Sequence, residues 1–179
     1  MLDEFKILKN VVQKLNDNKI PYMISGSVAM NYYAQPRMTR DIDIVAEVKD
    51  ADKFYNLFKQ DYYINLEMIK NAIANQQMFN IIHLKEVIKI DFIIKKSSEY
   101  RMMEFSRKKK VKIDNFYIFI VSIEDLIISK LIWAKDSCSE VQLKDVSNLL
   151  KEKIDMDYIK KWSGKLKLND LLERIIHGS

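Results

Sequence analysis

The spacing of apolar residues changes several times along the first two thirds of the chain. Helical spacing predicts helices over residues 3–18, 28–34, 50–60 and 99–105, and Asn18 followed by Pro21 marks the end of the first. Short apolar or alternating runs between turn residues predict strands over 22–25, 41–45, 78–84, 87–94, 111–113 and 116–121. Residues 78–94 are predicted to form a β-hairpin. This mixture of elements predicts an α+β fold, a mixed sheet flanked by helices.

From Ser122 onward only helical spacing remains. Ser122 and Asp125 resemble a capping box in which Asp replaces Glu, so a helix is expected to begin there. Three more helices are predicted near 139–152, 155–163 and 167–177. We therefore predict two regions, a core over 1–121 and a C-terminal helical bundle over 122–179 that closes one side of a cleft.

The rare residues exclude several kinds of chemistry. The chain of 179 residues has three glycines, too few for a dinucleotide-binding turn or a Walker A loop. One cysteine (Cys138) and two histidines cannot form a structural zinc site. A single cysteine also forms no internal disulfide, which favours a reducing compartment such as the cytoplasm.

Charge and hydropathy limit the kinds of binding partner that we expect for this protein. The N-terminus is acidic and no apolar run reaches 18 residues, so neither export nor a membrane span is expected. The formal net charge of +5 fits a polyanionic partner such as a nucleotide or nucleic acid. The basic run 107–112 suits either phosphate binding or protection of a sheet edge, and we favour the edge.

Two aspartates occupy one strand of the predicted sheet. The alternation Asp-Ile-Asp-Ile at 41–44 puts Asp41 and Asp43 on one face, about 6.5 to 7 Å apart, and both isoleucines in the core. Paired carboxylates favour a hard cation such as Mg²⁺ or Mn²⁺. A strand whose outer face merely carries two acids explains this pattern equally well.

A third acid, Asp91, lies inside an Ile- and Val-rich run, where burial of an unpartnered carboxylate would be costly. If its strand neighbours the first, three aspartates converge on a site for two metal ions, the arrangement used in phosphoryl transfer. Upstream, Gly26 and Ser27 stand at a strand-to-helix turn, where backbone N–H groups can bind phosphate. Arg37 and Arg40, just before the acidic strand, could reach a triphosphate or be plain surface charge.

This spacing resembles the nucleotidyltransferase superfamily, which has a DNA polymerase β-like fold. The likeness rests on Gly26-Ser27, thirteen intervening residues, the 41–44 motif and Asp91, and covers roughly residues 20–94. It implies that Gly26 and Ser27 hold nucleotide phosphates, that Asp41 and Asp43 hold metal ions, and that Asp91 completes the site. Arg37 and Arg40 are further nucleotide-binding candidates.

The C-terminal segment resembles the helical region of abortive-infection type nucleotidyltransferase toxins. There a helix lysine and a later aspartate belong to the active site, and by residue match these are Lys130 and Asp145. The resemblance implies NMP transfer from an NTP to an acceptor hydroxyl, with tRNA as acceptor and a cognate antitoxin as partner.

Two alternatives stay open at this point. An antibiotic-modifying nucleotidyltransferase would share the motif and differ in its acceptor, whereas a binding module of the same fold would hold nucleotide or RNA without turnover. Trp133 and the methionines are expected in the core, and Cys138 is assigned no catalytic role.

Overall fold

The computed structural model describes residues 2–34, 41–137 and 139–177, with side chains from residue 4. Its helices are α1 (Leu2–Asp17), α2 (Gly26–Tyr33), α3 (Ala51–Phe58), α4 (Leu66–Asn75), α5 (Glu99–Ser106), α6 (Ile123–Ser137), α7 (Glu140–Leu149), α8 (Met156–Lys165) and α9 (Asn169–His177). Its strands are β1 (Tyr22–Ile24), β2 (Asp41–Ala46), β3 (Tyr62–Tyr63), β4 (Met78–His83), β5 (Lys89–Ile94), β6 (Lys109–Ile113) and β7 (Phe116–Ile120).

The described strands form one mixed sheet of seven strands in the order β3-β4-β5-β2-β1-β7-β6. β2 runs parallel to β5 and antiparallel to β1, and β4 and β5 form the predicted hairpin. The predicted α+β architecture is confirmed, and helices α6–α9 follow the sheet in sequence as expected.

Alternation along β2 and β5 gives the centre of the sheet two different faces. Ile42, Ile44 and Phe92 point to one face and are buried. Phe54 of α3 packs edge-on against Phe92, with ring centroids 5.0 Å apart. The opposite face carries the aspartates and lines a cleft, so one face of the sheet supplies the core and the other the candidate chemistry.

β3 and α4 were not predicted. The side chain of Asn65 caps α4 by accepting a hydrogen bond from the backbone N–H of Met68 at 3.0 Å, and Ile69 and Ala72 form its buried side. An Asn before helically spaced apolar residues was therefore a usable signal. β3 has only two residues, too few for alternation to identify a strand.

The basic run at 107–112 divides between two environments. β6 is an edge strand, and Lys109, Lys110 and Lys112 are exposed on it, as edge protection requires. Arg107 instead bonds Asp125, with 3.0 Å between its Nε and Oδ2, and pairs with Glu124. Arg107 therefore belongs to an internal charge cluster.

A single hydrophobic cluster joins the sheet region to the helical region. Buried residues of α1 and the central strands belong to the same cluster as Leu126, Val146 and Leu172. The predicted boundary between 121 and 122 stays a prediction. No helix in the described ranges is both long enough and apolar enough to cross a bilayer.

Candidate active site

Asp41, Asp43 and Asp91 project from one face of two adjacent strands. In the parallel pairing of β2 with β5, Asp41 lies opposite Lys89 and Asp43 opposite Asp91. Since residues two apart on a strand share a face, these four side chains form one group, which we call the acid face. Lys89 was missed in the sequence, although its spacing from Asp91 was a sufficient signal.

Asp43 lies at the centre of the acid face. Burial raises the pKa of its carboxyl group, and the neighbouring Asp91 and Asp41 charges raise it further. A hydrogen bond from the backbone N–H of Ser27 and the charge of Lys130 act in the opposite direction. Like charges are thus held together with incomplete compensation.

Asp91 is 6% exposed, and its two oxygens differ. Oδ2 lies 2.9 Å from the Lys89 ammonium, which is also 3.7 Å from Oδ2 of Asp41. Oδ1 of Asp91 is buried and has no hydrogen-bond partner among the described residues. A buried carboxylate oxygen without a donor is costly, which points to a partner that the described residues do not supply.

The turn between β1 and α2 supports Asp43 directly. Gly26 has φ +56°, a left-handed conformation, and a Cβ added to it would lie 1.8 Å from Oδ2 of Asp43. Position 26 therefore requires glycine for two reasons: its backbone is left-handed, and the Asp43 carboxylate leaves no room for a Cβ. The Ser27 amide, expected to bind phosphate, orients Asp43 here, and the nucleotide-binding role of this turn stays a prediction.

Lys130 and Asp145 form a buried ion pair between α6 and α7. Each is 4% exposed, and Nζ of Lys130 lies 2.7 Å from Oδ2 of Asp145 and 3.0 Å from Oε1 of Gln142. Lys130 lines the cleft and lowers the pKa of Asp43. Asp145 is not among the residues that line it, and its catalytic role stays a prediction.

The cleft has a volume of about 860 Å³, and one face of α6 forms much of its wall. Trp133, three residues beyond Lys130 on that face, is 56% exposed. The expectation that Trp133 belongs to the core is therefore wrong. A tryptophan and a lysine three residues apart share a helix face, so helical spacing does not distinguish a cleft wall from a core.

A second polar group in the cleft wall was not predicted. Nη1 of Arg101 bonds both carboxylate oxygens of Glu104, at 3.0 and 2.9 Å, and Oγ of Ser129 at 2.6 Å. Burial raises the pKa of Glu104, and the adjacent Arg101 opposes that shift. All three residues line the cleft, where Lys95 and Lys96 add positive charge.

The acid face fits a hard divalent cation chemically. Carboxylate oxygens are the ligands that Mg²⁺ and Mn²⁺ prefer, and Oδ1 of Asp91 lacks any other partner among the described residues. Among the described residues, no group of three or more His, Cys, Asp or Glu side chains is already arranged to hold a metal ion. Arg37, Arg40 and Cys138 lie outside the described residues.

Comparison with known proteins shows the family to which the chain belongs. Residues 4–166 match the family described as nucleotidyl transferases of unknown function (DUF2204). The chain belongs to this family, and the protein is a nucleotidyltransferase of the DNA polymerase β-like superfamily. No curated protein matches the sequence.

Solved structures share the fold at low sequence identity. The antibiotic-resistance factor ANT(2'')-Ia is 10% identical, with a TM-score of 0.68 and 99% of each chain covered. A complex of ANT(2'')-Ia with adenylyl-2''-tobramycin gives a TM-score of 0.64 at 10% identity, covering 92% of this chain and 97% of that one. The lincomycin-bound lincosamide antibiotic adenylyltransferase LnuA is 13% identical, with a TM-score of 0.56 and coverage of 80% and 94%.

Proposed function

We propose that this protein transfers a nucleoside monophosphate from an NTP to an acceptor hydroxyl. The observation that carries the proposal is the convergence of three aspartates and a buried lysine on one cleft. In the reaction, the acceptor oxygen bonds to the α-phosphorus, the bond from that phosphorus to the bridging oxygen breaks, and pyrophosphate leaves. Such chemistry depends mainly on positioning and electrostatic stabilisation.

Asp41, Asp43 and Asp91 are the proposed ligands of Mg²⁺ or Mn²⁺. When bound, the metal supplies positive charge that screens the phosphates and lowers the pKa of the acceptor hydroxyl. The Asp91 carboxylate completes the metal site and accepts the proton of the acceptor hydroxyl as the new bond forms.

The remaining polar groups bind the nucleotide. The α2 N-terminus, with Gly26 and Ser27, faces the triphosphate, and Lys130 offsets charge on the phosphates and the leaving pyrophosphate. We assign Arg37 and Arg40 to the triphosphate as well. Trp133, about 4.5 Å along the helix axis from Lys130 by the helical rise, offers an aromatic face for the nucleobase.

ATP is the proposed donor, since the structures of similar fold include adenylyltransferases. We propose an RNA acceptor, with tRNA the first to test, because the formal net charge is +5 and the exposed Lys96 lines the cleft. In that case the protein acts in the cytoplasm as a toxin held by an antitoxin. The second candidate is an antibiotic acceptor, favoured by the fold shared with ANT(2'')-Ia and LnuA.

The acceptor can be identified with each α-labelled NTP in the presence of Mg²⁺. Purified protein would be incubated in parallel with total tRNA, a cell protein mixture, aminoglycosides and lincosamides, and label transfer measured. We expect transfer to tRNA from ATP by wild type and none by Asp43→Asn. Labelling of an antibiotic alone would select the second candidate, and labelling of nothing would leave a binding module.

Tryptophan fluorescence tests where the nucleotide lies. Trp162 is buried, so Trp133 is the tryptophan that added ATP can reach. We expect ATP to quench the emission of wild type and of Trp162→Phe, and to leave Trp133→Phe unchanged. Equal quenching in Trp133→Phe would show that the nucleobase does not lie against this wall of the cleft.

A further inference from the structure

Lys89 is a cation placed among the acids proposed to bind metal. Its ammonium lies 2.9 Å from Oδ2 of Asp91 and 3.7 Å from Oδ2 of Asp41, and its side chain is 38% exposed. Both acids reach it because the strand register puts Asp41 opposite Lys89, while Asp91 follows two residues later on β5. Lys89 therefore bridges carboxylates from two strands.

The ammonium uses atoms that a metal ion would need. Lysine is ordinarily charged at neutral pH, so its ammonium places a full positive charge beside the oxygens of Asp91 and Asp41. Metal at Asp91 and Asp41 and an ammonium at the same oxygens repel each other strongly at such distances. Unlike a backbone group, lysine has a flexible four-carbon stem that can move aside.

We propose that Lys89 is the resident cation of the acid face and that a divalent metal ion binds by displacing its ammonium. Lys89 thereby sets the metal concentration at which the site fills. This inference rests on the proposed function, because it takes Asp41, Asp43 and Asp91 as the metal ligands. It adds a residue that competes with the metal ion for these carboxylates and so determines the metal affinity of the site.

Mn²⁺ binding without nucleotide tests the proposal, with free Mn²⁺ measured by electron paramagnetic resonance. Lys89→Gln should bind Mn²⁺ roughly five- to tenfold more tightly than wild type, since a competing charge next to the metal is gone. Lys89→Met gives a second neutral variant that keeps the aliphatic stem. Lys95→Gln is the matched control with wild-type affinity, because Lys95 lines the same cleft but pairs with Glu47.

Thermal unfolding supplies a second measurement. Without metal, Lys89→Gln should melt below wild type because the acids lose their counter-charge, and saturating Mn²⁺ should close that gap. Wild-type affinity in both neutral variants would overturn the role of Lys89 and leave the metal site intact. Absence of Mn²⁺ binding in wild type and in every Lys89 variant would overturn the metal site and this inference together.

Discussion

The acid face and the cluster around Asp125 both hold several charges, but they satisfy them differently. Asp125 is fully buried, and Oδ1 accepts a hydrogen bond from the Tyr158 hydroxyl at 2.7 Å. Its Oδ2 accepts bonds from Ser122 Oγ at 2.6 Å and Arg107 Nε at 3.0 Å. On the acid face, Oδ1 of Asp91 has no described partner and the pKa of Asp43 is raised.

The difference separates charges that hold the fold together from charges that we propose to bind a ligand. Arg107 lies over the Tyr158 ring at 3.9 Å and also pairs with Glu124, so one cation joins α6 to α8. A fully satisfied network of this kind rigidifies the structure. A group of like charges with one buried oxygen unfilled costs stability, which a bound cation can restore.

Removing the carboxylate from the satisfied cluster should have the largest effect on stability. Asp125→Ala leaves Tyr158, Ser122 and Arg107 without their shared acceptor, so the free energy of unfolding should fall by about 3–5 kcal/mol. Urea denaturation measures this loss. Asp91→Ala is the matched truncation on the acid face and should lower that free energy by only about 1 kcal/mol, because Oδ1 makes no described hydrogen bond and Lys89 is part-exposed. Equal losses would abolish the distinction between the two regions.

Lys130 belongs to both categories, since it is buried with Asp145 and also faces the cleft. Lys130→Met leaves the Asp145 charge buried, so stability should fall by about 3 kcal/mol. Turnover should fall at least tenfold, about as much as in Lys130→Ala, and Lys130→Arg should rescue it in part. The double variant Lys130→Met, Asp145→Asn should recover stability but not turnover. Recovery of both would make the pair purely structural.

Neutralising Asp43 should stabilise the metal-free protein. Asp43→Asn removes one member of a repelling group, and we expect a gain of up to about 1 kcal/mol in unfolding free energy at neutral pH. Wild type should in turn gain stability from Mg²⁺ plus ATP, whereas the variant should gain little. Differential scanning calorimetry with and without these ligands measures both. Equal ligand stabilisation of the two proteins would contradict the metal site.

The smallest expected effect is a pH dependence of the metal-free protein. Asp43 has a folded-state pKa above its ordinary value of 3.8, so the folded protein retains that proton more readily than the unfolded chain. Its contribution to stability is complete below the unfolded pKa and is lost as pH rises through the folded pKa. The free energy of unfolding can be measured by denaturation across this acidic range for both proteins. The value for wild type minus the value for Asp43→Asn should fall as pH rises. If the unfolding free energy of wild type instead rose relative to that of Asp43→Asn as pH increased, the sign would be reversed and the assignment refuted.

Local patterns were enough to predict the shared face of Asp41 and Asp43, because alternation on one strand determines it. Asp91 lies beside them only because β2 pairs with β5. This pairing was assumed from the sequence and could not be predicted from it. The strand register then placed Lys89 opposite Asp41. No local signal gives the contact of Arg107 with Asp125, because the two lie on elements brought together by tertiary packing.

The helices illustrate the same limit. The capping role of Ser122 was predicted from its spacing to Asp125, and the backbone N–H of Asp125 donates to Ser122 Oγ at 3.2 Å. The sequence did not reveal that Asp125 is also the acceptor for Tyr158. Trp133 was misplaced because an apolar residue on a helix looks the same whether the helix faces a core or a cleft. Burial is a property of the assembled fold.

The parallel pairing of β2 and β5 also bears on the order in which the protein acquires its chemistry. Its partners are separated by α3, β3, α4 and β4, and Lys130 and Asp145 come later still in the chain. Contacts between such distant segments close long loops and form slowly. During synthesis, a nascent chain can pair its aspartates while α6 and α7 are still enclosed by the ribosome. On the proposed function, the site is therefore complete only after the C-terminal helices have emerged and docked.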